Sequence, residues 1–312
     1  MNTKYIYTFG YRVEEVELCQ LEMRALFGAQ SETGVLMSNI CVDPDRSPFM
    51  RERLEVLYEG STLEDIYDQV TQVELGDQTF KVIFMKMNDL SAADKIEYDD
   101  QRGIERKLGL IIEGDADVRQ PDQTFGILTL GGRWYFGNYI KSKAIWLTHM
   151  KKPKSYSIAL STRVARAIVN IAIPVPTGVK AIDPCCGIGT VLVEALSMGI
   201  DMIGRDINHF VVQGTRENLI HFEYESSVEC GDIAEVTEHY DVAIIDLPYN
   251  HFSHTTIEAQ VSLIQHARRI ADKAVIVTVG NIDDLLADVG FTILDRCTTR
   301  KSNFIRQILV CQ

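Results

Sequence analysis

At 312 residues the chain is long enough for two domains, each able to bury a core of its own. An apolar share of 46% beside 24% charged residues is that of an ordinary water-soluble protein, which argues against a disordered or fibrous chain. No apolar run approaches the ~18 residues that a membrane span needs, and a net charge of −13 argues against indiscriminate polyanion binding.

The opening residues, 1–10, alternate as a strand and lack the apolar stretch of a signal peptide, so a cytoplasmic protein is expected. The pattern predicts a strand over Tyr5–Phe9 and a helix from about Val13 to Phe27, stopped by Gly28. A strand around Gly34–Cys41 follows, then a loop holding Pro44 and Pro48. Ser61–Val70 reads as a short helix with Thr62 near its N-cap, Gln78–Met85 as a strand and Tyr98–Leu108 as a helix. Phe125–Leu130 and Arg133–Phe136 can pair as a hairpin across Gly131-Gly132. Residues 1–150 thus read as an α+β domain, 151–155 as a basic linker and 156–312 as a second domain.

Charge is uneven along the chain. Residues 1–150 carry −9 and residues 151–312 carry −4, yet Lys141, Lys143, Lys151, Lys152, Lys154, Arg163 and Arg166 fall in one stretch free of acidic residues. A second basic group, Arg296, Arg300, Lys301 and Arg306, lies near the C-terminus. Such stripes bind phosphates even on an acidic protein, so Lys151, Lys152, Lys154, Arg163, Arg300 and Lys301 are the candidate phosphate contacts. The odd number of cysteines, seven, with no Cys-x-x-Cys pair, predicts free thiols rather than disulfides or zinc, and no metal site is expected.

The second domain alternates strand and helix. Ser161–Ala172 is a helix with Ser161 or Thr162 as cap, and Val179–Asp183 is a strand. Asp183-Pro184-Cys185-Cys186-Gly187-Ile188-Gly189-Thr190 then makes a tight loop before the next helix. Glycine at 187 and 189 lets a ligand approach the backbone at a helix N-terminus. A third glycine of the dinucleotide fingerprint is missing, since Leu192 stands there. Asp206 ends a second apolar segment, 23 residues beyond Asp183, where a carboxylate can accept from ribose hydroxyls. Asp232 follows a third strand, and Asp246-Leu247-Pro248-Tyr249 ends a fourth. A helix over Ile257–Ile270, a buried strand over Ala274–Val279 and an antiparallel pair, Phe291–Asp295 with Phe304–Val310, complete a doubly wound α/β sheet.

These motifs resemble those of class I S-adenosylmethionine-dependent N-methyltransferases, and more closely the THUMP-linked RNA methylases, which include the tRNA guanosine-10 N2-methyltransferases. Leu247 departs from the family pattern, which has proline at that place. The resemblance implies a Rossmann-like methyltransferase sheet behind an N-terminal ferredoxin-like and THUMP-like RNA-binding module. It also implies S-adenosylmethionine as cofactor, held by Asp183, Pro184, Gly187, Gly189, Thr190, Asp206 and Asp232, and tRNA or another structured RNA as partner. On that reading the Asp246 carboxylate and the Leu247 carbonyl accept the hydrogens of a base amine, Pro248 fixes their turn and Tyr249 stacks on the base. N6-adenine methylation of DNA or RNA, and a non-catalytic cofactor- or RNA-binding protein, are the alternatives. Cys185 and Cys186 are expected to fill space beside the loop rather than to react.

Overall fold

The computed structural model describes residues 3–85, 95–156, 159–248, 256–301 and 304–312. The elements begin with β1 (Tyr5–Phe9), α1 (Val16–Phe27), β2 (Val35–Ser38), β3 (Met50–Gly60), α2 (Leu63–Gln69), β4 (Phe80–Phe84) and α3 (Tyr98–Ile111). They continue through β5 (Gln123–Leu130), β6 (Arg133–Lys141), α4 (Trp146–His149), α5 (Thr162–Ala172), β7 (Lys180–Asp183), α6 (Thr190–Ser197) and β8 (Asp201–Asp206). The chain ends with α7 (His209–His221), β9 (Val228–Cys230), β10 (Tyr240–Asp246), α8 (Ile257–Ile270), β11 (Ala271–Thr278), α9 (Asp283–Asp288), β12 (Ile293–Lys301) and β13 (Phe304–Cys311).

Two compact units result, and they do not follow the single cut near residue 150 that the sequence suggested. One comprises Met1–Gly10, Ser31–Asp45 and Phe49–Lys143; the other comprises Tyr11–Gln30, Arg46–Pro48 and Ala144–Gln312. The predicted N-terminal helix therefore belongs with the C-terminal unit. Its reason is packing: α1 buries Leu18, Leu21 and Met23 and lies against α5 and β12. Amphipathic spacing says that a helix buries one face, not against what.

The first unit is α+β. Its six-stranded sheet has the order β2-β1-β3-β6-β5-β4, antiparallel except for the β4–β5 pair. Ile66 of α2 and Leu108 of α3 meet Phe80, Phe125 and Phe136 in its core. Thr62 caps α2 as expected, and Asp65 returns a bond to the Thr62 N–H at 2.9 Å. The longest strand of this sheet, β3, was not foreseen. Arg51, Glu52, Arg53, Glu55 and Glu59 mask its alternation, yet Leu54 is fully buried. Cross-strand partners explain the charges: Glu52 accepts from Tyr139 Oη at 2.9 Å and Thr8 Oγ1 at 3.1 Å.

The second unit holds a seven-stranded sheet ordered β12-β13-β11-β10-β7-β8-β9. Strands β7 to β11 run parallel, while β13 is antiparallel to both β11 and β12. This is the doubly wound sheet closed by an antiparallel pair that the sequence predicted. Ile182, Ile245, Ile276 and Leu309 from neighbouring strands are fully buried together with Ile264 and Ala267 of α8. Burial of each such isoleucine or leucine side chain contributes about 1.5–3 kcal/mol.

Beside that apolar core runs a buried polar network. Arg166 of α5 donates to Glu194 Oε2 of α6 at 2.6 Å and to Ser197 Oγ at 2.9 Å. The other oxygen of Glu194 is hydrogen-bonded to His149 Nδ1 at 2.7 Å, and His149 Nε2 lies 3.2 Å from Tyr224 Oη. Glu22 of α1, fully buried, accepts from Asn170 Nδ2 at 2.6 Å and from Ser47 Oγ. These bonds tie α1, α4, α5 and α6 behind the loop that follows β7.

Candidate active site

The strand order reverses between β7 and β10: the chain winds outward from β7 to β9 on one side and from β10 to β11 on the other. Ligands of open α/β sheets bind at such a switch point, at the carboxyl ends of the strands. Asp183 is the last residue of β7, Asp206 of β8 and Asp246 of β10. The topology brings these three sequence-predicted carboxylates to one rim.

Their electrostatics is unusual. Asp183 is 3% exposed, and burial holds its carboxyl well above the usual carboxylate range. The Cys185 N–H works the other way by donating to Asp183 Oδ1 at 3.2 Å, while the charges of Asp206 and Asp246 push the group up again. A rim that gathers like charge in a desolvated place is matched by a cationic ligand. Cys185 sits in the same field; burial and then the carboxylates push its thiol well up, so it stays protonated. Cys186 is 6% exposed and raised too, chiefly by burial, which suits the space-filling role expected of the pair.

The loop between β7 and α6 has the conformation its glycines permit. Gly187 has φ +55° and Gly189 φ +76°, both left-handed. A Cβ on Gly187 would meet nothing within 4 Å, whereas one on Gly189 would come within 2.5 Å of Thr215 Cγ2. Asp206 accepts from the Gly187 N–H at 2.9 Å and from the Asn208 N–H at 2.8 Å, so it orders the loop as well as facing the rim. Thr190, 6% exposed, begins α6, and Pro184 lies in the buried turn just after Asp183. Asp232 is exposed, and its side chain accepts from the Ala234 N–H at 2.9 Å.

Three residues that sequence reasoning passed over organise this rim. Thr215 Oγ1 donates to the Gly187 carbonyl at 2.6 Å, and Asn218 Nδ2 to the Ile188 carbonyl at 2.8 Å. Both are fully buried on α7. Polar residues three apart on the apolar side of a helix were the available signal. Arg205 donates from Nε to the Asp232 carbonyl at 2.9 Å and pairs with Glu229 at 2.6 Å and with Glu235, holding the turn that carries Asp232.

At the fourth strand, Leu247 occupies the family's proline position to structural advantage. Its side chain is 1% exposed within the core, and its N–H donates to the Val277 carbonyl at 2.9 Å. Proline has no N–H to give, so the bond replaces the rigidity that the ring would have supplied. Gln260 of α8 donates to the Pro248 carbonyl at 3.2 Å and steadies the same turn. Tyr249 lies outside the described residues.

The predicted basic contacts divide. Lys151 and Arg300 are exposed. Lys154 is exposed and its ammonium pairs with Glu217 at 3.0 Å, while Lys152 Nζ donates to Thr190 Oγ1 at 3.0 Å. Arg163 is engaged within the fold, contrary to the open surface its charge run suggested: it pairs with Glu15 at 2.9 Å and lies 5.5 Å from the Trp146 ring centre. Lys301 closes β12, and its side chain is outside the description. The seven cysteines are all free thiols. Among the described residues no helix is long and apolar enough to cross a membrane, and no cluster of metal-binding side chains occurs.

Sheet order, glycine loop and acidic rim define a Rossmann-like methyltransferase fold. Residues 150–278 match the family model of UPF0020, the RMKL-like methyltransferase domain. The tRNA (guanine(10)-N2)-dimethyltransferase of Methanothermobacter thermautotrophicus is 27% identical over 229 residues, which cover 67% of this chain and 68% of the relative. The human U6 snRNA (guanine-N(2))-methyltransferase THUMPD2 is 30% identical over 97 residues, 29% of this chain and 19% of that one. Among solved structures, TrmN from Thermus thermophilus aligns over 99% of both chains at 13% identity with a TM-score of 0.49. Residues 150–278 thus match an RMKL-like methyltransferase domain, and the resemblance to the THUMP-linked RNA methylases read from the motifs is borne out.

Proposed function

We propose that this protein transfers a methyl group from S-adenosylmethionine to an exocyclic base amine of RNA, and that the base is guanosine, at N2, in tRNA. The observation that carries the reading is the meeting of Asp183, Asp206 and Asp246 at the switch point beside the Gly187–Gly189 loop. A cofactor bearing an ammonium and a sulfonium fits a rim where buried Asp183 stands in the field of Asp206 and Asp246. S-adenosylmethionine supplies an activated methyl group, so the chain needs only to bind, orient and polarise.

Each residue has a task in that scheme. Asp183 receives the ammonium, Asp206 the ribose hydroxyls and Asp232 the adenine amine, while Pro184, Gly187, Gly189 and Thr190 shape the cradle. A base amine is a poor nucleophile because its lone pair is delocalised into the ring. Asp246 and the Leu247 carbonyl accept its two hydrogens, localise the lone pair and stabilise the positive charge that develops on nitrogen. Tyr249 stacks on the extruded base, worth about 1–3 kcal/mol. The α+β unit serves as a THUMP-like RNA grip, and Lys151, Lys152, Lys154, Arg300 and Lys301 of the other unit are phosphate contacts, in a cytoplasmic enzyme. The named activities of the archaeal and human relatives support guanine N2.

Mass spectrometry of nucleosides in tRNA tests the reading, using cells with the gene, without it and with Asp246→Ala. Loss of an N2-methylated guanosine in both altered strains is expected. Loss of N6-methyladenosine instead would move the activity to adenine, and an unchanged nucleoside profile would leave a binding protein without turnover.

A further inference from the structure

One buried amide joins the candidate cofactor loop to the basic linker. Asn218, fully buried on α7, donates from Nδ2 to the Ile188 carbonyl at 2.8 Å and to the Lys154 carbonyl at 3.1 Å. Its Oδ1 accepts from the Lys154 N–H at 2.9 Å. Both donors of the amide are in use and its acceptor is occupied, an arrangement that neither Asp nor a hydroxyl residue can reproduce. Ile188 stands between the two loop glycines, and Lys154 between Lys152 and the start of the second domain. A second fastening lies beside the first: Lys152 Nζ reaches Thr190 Oγ1 at 3.0 Å. Lys154 Nζ, 3.0 Å from Glu217, ties the same linker to the α7 residue adjacent to Asn218.

We infer that Asn218 is a positioning residue that couples RNA binding to cofactor binding. The inference rests on the reading above, in which the loop holds S-adenosylmethionine and the linker meets RNA phosphates. Two arrangements are in play, with the amide clamp made or open. Phosphates that order the Lys151–Lys154 backbone favour the made clamp and so fix the Ile188 carbonyl. A cofactor seated on the Gly187–Gly189 loop fixes the same carbonyl from the other side. Each ligand therefore strengthens the other, by one and the same factor.

Calorimetric titration of the full chain with S-adenosylhomocysteine, alone and with saturating unmodified tRNA transcript, measures that factor. In the wild type, tRNA is expected to tighten S-adenosylhomocysteine by at least about fivefold, the lower end of ordinary coupling. Asn218→Ala is expected to bring the ratio to within about twofold of unity. Lys154→Ala removes a charge but keeps the backbone N–H, so tRNA binds more weakly while the ratio survives. Lys154→Pro removes the N–H that Asn218 accepts and lowers the ratio; standing on the exposed linker, it serves even if Asn218→Ala does not fold. A ratio near one in the wild type overturns the inference, as does a ratio unchanged in both Asn218→Ala and Lys154→Pro. Absence of S-adenosylhomocysteine binding to the wild type instead overturns the proposed function itself, and the inference with it.

Discussion

Glu194→Ala should unfold the methyltransferase unit at a markedly lower temperature. The carboxylate is fully buried and takes Arg166 Nη1 at 2.6 Å on one oxygen and His149 Nδ1 at 2.7 Å on the other. Arg166, 1% exposed, would keep its bonds to the Arg46 carbonyl and Ser197 Oγ but lose its carboxylate partner. Breaking a buried pair from one side costs about 3–5 kcal/mol, because a charge stays in low dielectric without its counter-charge. For a unit of about 150–250 residues each kcal/mol moves the midpoint by about 2–4 °C, so a fall of about 6–20 °C is expected. Arg166→Met should cost a similar amount. The double variant Arg166→Met with Glu194→Ala should recover much of the loss, since neither charge is then desolvated. Thermal melts followed by circular dichroism at pH 7.5 supply the double-mutant cycle. A midpoint for Glu194→Ala within about 2 °C of the wild type would refute the reasoning, and so would single penalties that simply add in the double variant.

Asp183→Asn should raise the melting temperature while weakening S-adenosylhomocysteine by about tenfold, near the worth of one charged hydrogen bond. The folded Asp183 carboxyl is raised, so its contribution to stability is full below the unfolded value near 3.9 and is lost as pH rises through the folded value. Asparagine removes that loss at neutral pH but takes away the charge; melts and calorimetry on one preparation check both signs. Burial likewise lifts Glu22 to about 7, so wild-type stability should fall between about pH 4.5 and 7. Glu22→Gln should flatten that slope in urea titrations run across the range. Gly189→Ala should harm cofactor affinity more than Gly187→Ala. Both incur about 1–2 kcal/mol of left-handed strain, but only the methyl at 189 meets Thr215, at 2.5 Å, as calorimetry of the pair would reveal.

Much of the site could be read in advance because it is written locally. Asp183, Asp206 and Asp246 each end an apolar run, and strand ends are where an α/β sheet presents its ligand groups. The glycines at 187 and 189 declare a backbone conformation that few other residues adopt, and both have positive φ. What stayed hidden depends on partners far along the chain. Charges across β3 look like loop composition until Thr8, Asn138 and Tyr139 are seen to receive them on neighbouring strands. Arg163 counted as one more positive charge until Glu15 was found beside it.

By itself, then, the sequence determined the alternation that builds a parallel sheet and the chemical type of each rim residue, since these follow from period, capping and turn chemistry within a few neighbouring positions. Only the tertiary structure decided that α1 packs with the methyltransferase unit, that three carboxylates share one rim with Asp183 buried in it, and that Thr215 and Asn218 hold the loop from behind. Those outcomes depend on which surfaces meet. Burial, Coulomb repulsion and hydrogen bonding between distant residues arise only once the chain has brought them within a few ångströms.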